Sequence, residues 1–142
     1  MQLMPNAFPP PWSIVSGMDY RRVARHSSAI SVKLYTMHWP MMLRFYGDQI
    51  LAANPGLSGT ALVRALVKCL DIADDAGLPT LDAYRYPAPD EPHPVGPQAQ
   101  IRKIAQADAG NTPVYTLAHG YGPLNDFRRR LVTARAGGRK LG

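Results

Sequence analysis

ISVKLYTMHWP, residues 30–40, carries more structural information than any other stretch of the chain. Ile30, Val32 and Leu34 alternate with Ser31, Lys33 and Tyr35, the period-two pattern of a strand. One face is aliphatic; the other bears a hydroxyl, an ammonium and a phenol. Met37, His38 and Trp39 follow, and Pro40 suits the first turn of a helix. A strand that runs into functional side chains and then a helix is one βα step of an α/β protein.

Upstream, residues 2–8 (QLMPNAF) predict a short strand with Gln2, Met4 and Asn6 on one face, although Pro5 restricts its pairing. Pro9, Pro10 and Pro11 predict an extended connection covered by Trp12. Ser16 reads as the N-cap of a helix to about Ser27, with Asp19 completing a capping box and Tyr20, Val23 and Ala24 buried. Strand, connection, helix and strand in that order imply parallel pairing.

Downstream, PMMLRFYGDQILAA (40–53) predicts a helix packing Met41, Met42, Phe45, Ile50 and Leu51, weakened at Gly47. A second helix is expected from Ser58 to Ala76, with Leu62, Val63, Leu66, Val67, Leu70 and Ala73 at helical spacing. Asp74 and Asp75 crowd its C-terminal end, where the helix dipole disfavours acids. Cys69 lies in this pattern and is expected as a small buried hydrophobe.

Residues 78–97 hold Pro79, Pro87, Pro89, Pro92, Pro94 and Pro97 and predict an ordered lid packed by Leu81, Tyr84 and Tyr86. A helix over 98–109, a strand over 112–118 and the turn His119-Gly120-Tyr121-Gly122-Pro123 follow. Pro123 opens a last helix that Gly137 and Gly138 close. The strand–loop–helix pattern of residues 30–40 has therefore repeated.

The 142 residues are expected as one domain, and no run of eighteen apolar residues is present for a membrane span. The first residues lack the basic and apolar regions of a signal peptide, so a cytoplasmic location is the expectation. The net charge of +6 is local: Arg128, Arg129, Arg130, Arg135, Arg139 and Lys140 form a basic end at 128–142 that contains no acid. A solvated helix end is expected there. Nucleic-acid binding is not, because no aromatic interleaving or nucleic-acid motif accompanies the charge.

With Ile30, Val32 and Leu34 turned to helices, Ser31, Lys33, Tyr35 and Met37 face the opposite side. On the third strand the matching choice is Tyr115, Leu117 and His119, with Val114, Thr116 and Ala118 as the competing set; on the first it is Gln2 and Asn6. Lys33 in mid-strand calls for an anion nearby or for a snorkelling position on an exposed edge. His38 and His119 fall at C-terminal strand ends, the edge where α/β enzymes place their chemistry. With Trp39 and Tyr121 beside them they suit sugar rings, which stack on aromatics while their hydroxyls take hydrogen bonds. No metal is expected, since no carboxylate sits at metal spacing to either histidine, and no cofactor motif occurs. Glycoside chemistry wants two carboxylates; Asp82 and Glu91, both in the lid, are the candidates, beside Lys33.

The segments LMPNAFPPPWSIVSGMDY (3–20), ISVKLYTMHWP (30–40) and PVYTLAHGYGPLNDFRRR (113–130) together resemble successive strand ends and loops in the later part of a glycoside-hydrolase-like (β/α)8 barrel. The resemblance implies an α/β fold of parallel βα repeats, a partial barrel with three visible strands. It also implies sugar or polysaccharide handling at the C-terminal rim, with Asn6, Tyr35, His38, Trp39, His119 and Tyr121 as binding residues. The partner it implies is the missing half of the barrel or a second copy. Two other readings stand beside it: a small α/β binding module using its basic end for a protein or RNA, and a Schiff-base lyase using Lys33.

Overall fold

The computed structural model describes residues 3–138; Gln2, Arg139 and Lys140 lie outside them. The elements run β1 (Asn6–Ala7), α1 (Trp12–Val15), α2 (Tyr20–Ala24), β2 (Ile30–Leu34), α3 (His38–Ala53), α4 (Gly59–Leu70), a 3-10 turn (Leu81–Ala83), α5 (Pro97–Gln106), β3 (Val114–Ala118) and α6 (Leu124–Gly137). The three strands form one parallel sheet in the order β1-β2-β3. Each connection is thus a crossover between adjacent strands, as parallel pairing requires.

The register sorts the strand residues into two faces. Asn6, Ser31 and Tyr115 are lateral partners, as are Ala7, Val32 and Thr116, then Lys33 with Leu117 and Leu34 with Ala118. Ala7, Ile30, Val32 and Leu34 are almost wholly buried, in one cluster with Leu43 of α3, Val63 and Val67 of α4, Ala99 and Ile104 of α5 and Ala134 of α6. On the other face Asn6 and Tyr115 are exposed, Lys33 and Leu117 are half-buried and Ser31 is buried between its strand neighbours. The helices cover one side of the sheet only.

Several boundaries differ from expectation, each for a local reason. The first strand shrinks to two residues because Pro5 has no N–H; its carbonyl still accepts from Ser31 N at 3.0 Å. The prolines lead directly into α1 instead of an extended connection, and the Pro10–Pro11 peptide is cis. Ser16 terminates α1, while Asp19 caps α2 by accepting from Arg22 N at 2.9 Å. Strand β2 ends at Leu34, so Met37 is the buried N-cap residue of α3 and does not line the open face. In α3 the packed face is Trp39, Leu43 and Gly47, with Met42 and Tyr46 beside it; Met41 and Phe45 are exposed. Gly47 has a use that helix propensity hides, since the Leu81 side chain occupies the space a Cβ would take.

Helix α4 stops at Leu70 because Asp71 adopts the left-handed conformation, which Asp tolerates better than most residues. Asp74 is then free of α4 and accepts from Gln98 N at 3.1 Å and Ala99 N at 2.6 Å. It sits at the N-terminus of α5, where the dipole favours an acid, reversing the expected penalty. Cys69 is exposed on α4, between the buried Val67 and Leu70, and is not a core residue. No helix among the described residues is long and apolar enough to cross a membrane.

Candidate functional site

The C-terminal ends of β2 and β3 are adjacent, so the loops that leave them meet. Tyr35 and His119 each follow a paired strand residue, Leu34 and Ala118. Their ring centroids are 5.0 Å apart. His38, in the first turn of α3, lies 5.7 Å from Tyr35 and 5.7 Å from Tyr86 of the lid. Tyr86 is 5.2 Å from Tyr121, and Tyr121 is 5.8 Å from His93. A continuous row of rings therefore runs from β2 across the lid to the loop after β3. His119 and Tyr86 are exposed, Tyr35, His38 and Tyr121 are half-buried, and His93 is buried at the end of the row.

Residues 78–96 are bound to that rim at several points. Tyr84 is buried and its hydroxyl accepts from Leu78 N at 2.7 Å. Glu91 holds Arg85 through bonds of 2.6 and 2.8 Å and accepts from Ala88 N at 2.8 Å. Tyr121 donates its hydroxyl to the Pro87 carbonyl at 3.0 Å. His93, 3% exposed, shares a 2.8 Å hydrogen bond between its Nδ1 and Thr36 Oγ1 at the end of β2. Its Nε2 has no hydrogen-bond partner among the described residues. Gly122, at φ +89°, passes so close that a Cβ there would come 3.1 Å from that nitrogen. Burial holds the His93 imidazole down at about 4, the Arg130 charge adding to the effect and Asp126 opposing it.

The loop after β3 is held from behind by a buried ion pair. Arg130, 1% exposed, donates from Nε to Asp126 Oδ2 at 2.8 Å. Its other nitrogens donate to the carbonyls of His119, at 3.3 Å, and Tyr121. Asp126 also accepts from Arg129 at 2.5 Å and from His93 N at 3.3 Å. Burial pushes the Asp126 carboxyl up, but the bonds from Arg129 and Arg130 outweigh it and hold the group below the ordinary range. Arg130 is thus a positioning residue for His119 and Tyr121. The expectation of a solvated basic end fails at this residue, since an i,i+4 acid draws its guanidinium inward.

The sequence-expected residues separate on this frame. Tyr35, His38, His119 and Tyr121 come together at the rim. Asn6 lies on the open face, bonded through its Oδ1 to the Ser31 hydroxyl. Lys33 is on the same face with Nζ 5.2 Å from the centre of the Phe8 ring. Trp39 is a correction: at 1% exposure it packs in the core, 5.6 Å from Trp12, and cannot touch a ligand. Asp82 is solvent-exposed and pairs with Arg44 at 3.0 Å. The Arg85 hydrogen bond, then Ala88 N, holds the Glu91 carboxyl below its usual range, the reverse of what a general acid needs.

Tyr86, expected only as lid packing, and Phe8, which carried no expectation, are the further aromatic residues beside these groups. An aromatic immediately before Pro87 in a proline-stiffened loop was the available signal for Tyr86. A cleft of about 520 Å³ elsewhere, bordered by Pro10, Ile14, Met18, Arg21 and Asp108, includes none of the rim rings. No group of three or more metal-binding side chains exists among the described residues. Neither a protein-family model, nor a curated protein, nor a solved structure matches the chain.

Proposed function

We propose that the three strands are an arc of a glycoside-hydrolase-like (β/α)8 barrel and that the ring-lined C-terminal rim binds sugar. The observation that carries the reading is the row Tyr35, His38, His119, Tyr86 and Tyr121, five rings from two strand ends and two loops. Rings spaced at 5–6 Å offer apolar faces to a pyranose while phenols and imidazoles offer hydrogen bonds. The sequential parallel order supports the arc, as does the sheet face left without helices, which a closed barrel would turn inward. Asp82 and Glu91 are both engaged by arginines, so in this reading the catalytic carboxylates belong to strand ends outside the arc.

Calorimetric titration with a panel of oligosaccharides tests it. Binding is expected at least for one member, and replacing Tyr86 or Tyr121 by alanine should weaken it about ten-fold. A flat titration across the panel would sink the reading, as would undiminished binding by both variants.

A further inference from the structure

The rim is basic as well as aromatic. The His38 and His119 imidazoles flank Tyr35, Lys33 lies two residues before Tyr35 on the same strand with its Nζ over the Phe8 ring, and none of the three makes an ion pair or a side-chain hydrogen bond with the described residues. Three of the acids near the rim are held by arginines, Glu91 by Arg85, Asp82 by Arg44 and Asp126 by Arg129 and Arg130, while Asp90 acts on Tyr121 at the far end of the row. Helix α3 points its positive end at the same place, with no side-chain cap and no acid in its first turn. Basic groups collected without a counter-charge repel one another. The His38 imidazole is accordingly held low, first by burial and then by His119 and Lys33. A ligand anion would relieve that repulsion and complete the hydrogen bonding of all three.

We propose that the sugar bound at this rim is acidic, its carboxylate or phosphate seated between Lys33, His38 and His119 while its ring packs on Tyr35 and Tyr86. The inference rests on the sugar-binding reading and narrows its substrate class. Binding is expected to carry proton uptake by the His38 imidazole. The groups facing His38 are Lys33 and Tyr35 from the strand, His119 after the neighbouring strand and Tyr86 from the lid; the lid acids Asp90 and Glu91 act on Tyr121 at the other end of the row.

The test is a calorimetric titration of the chain with four probes: a neutral oligosaccharide, an oligogalacturonate, a hexose phosphate and inorganic phosphate. The oligogalacturonate or the hexose phosphate should bind about ten-fold tighter than the neutral sugar, and whichever is stronger identifies the anion. That advantage should disappear in Lys33→Met, whose stem still packs on Phe8, and shrink as pH rises from about 6 to 8. The His38 imidazole NMR resonances of the unmodified chain supply a second readout, since a seated anion must raise the lowered His38 pKa. Equal affinity for neutral and acidic sugars overturns the proposal and leaves sugar binding standing. Inorganic phosphate binding as tightly as hexose phosphate supports the anion seat and overturns the sugar reading. No binding by any probe overturns both.

Discussion

The two junctions that build the rim are held by opposite physics. Where β2 passes into α3, the anchor is apolar: Trp39 is buried against Trp12, Leu43 is wholly buried below it, and the turn closes with His38 N on the Tyr35 carbonyl at 2.8 Å. Where β3 passes into α6, the anchor is electrostatic: Arg130 is buried on Asp126 and donates to the carbonyls of His119 and Tyr121. The first junction is short and its side chains fill the core. The second contains two glycines and a proline in five residues, so it has little apolar surface to bury. A glycine-rich loop must be tied through its backbone, and a planar guanidinium with several donors is suited to that.

The difference is open to direct attack. Trp39→Ala should cost most, about 4 kcal/mol of unfolding free energy in urea, because it removes a buried aromatic and leaves a cavity. Asp126→Asn should cost about 3 kcal/mol by leaving Arg130 buried without its counter-charge. The double substitution Asp126→Asn with Arg130→Met should recover part of that stability in a thermal melt while still loosening His119 and Tyr121. Equal effects of Trp39→Ala and Asp126→Asn on sugar binding, at matched stability, would erase the distinction between the junctions.

Acid should act first on His93, which ties the lid to both junctions, to Thr36 through its Nδ1 and to Asp126 through its backbone N–H. The folded His93 pKa, about 4, is below the ordinary value near 6.5, so between those limits the unfolded chain binds the extra proton. Stability contributed at neutral pH is therefore lost as pH falls from about 6.5 to 4, by up to about 3 kcal/mol. Asp126 adds its own loss only lower, as pH falls below the ordinary aspartate range through its depressed folded value. Denaturant curves across that range check the order, and His93→Gln should flatten the upper limb.

A smaller effect belongs to the lid. Gly47→Ala should cost about 2 kcal/mol by driving a methyl into Leu81, with Tyr86 displaced and sugar affinity reduced. The smallest is His38→Gln. Its ring is half-buried and unbonded among the described residues, so stability should stay within about 0.5 kcal/mol while binding falls.

Much of the architecture was legible because strand alternation is a local signal. Ile30, Val32 and Leu34 announced a buried face, and the parallel register carried Tyr115 and Leu117 to the side predicted from Lys33. His38 and His119 could be placed at strand ends by counting. Trp39 was misplaced by the same counting, because a residue one step into a helix turns inward. The phase of α3 was misread at Met41 and Phe45 because apolar residues occupy more than one of its sides. Tyr86 and His93 reach the rim only through the path of the proline-rich lid, which no periodicity encodes.

The sequence by itself therefore determined the parallel βα repeats, the aliphatic face of the central strand and the presence of aromatic and imidazole groups where strands end. Period-two and helical patterns are properties of neighbouring residues, so they need no fold to be read. Only the tertiary structure decided that Arg130 is buried, that Asp74 caps a helix begun more than twenty residues later and that Gly47 makes room for Leu81. Each of these joins groups far apart in the chain or inverts an intrinsic preference. Long-range pairing and desolvation set such roles, and neither exists until the chain has folded.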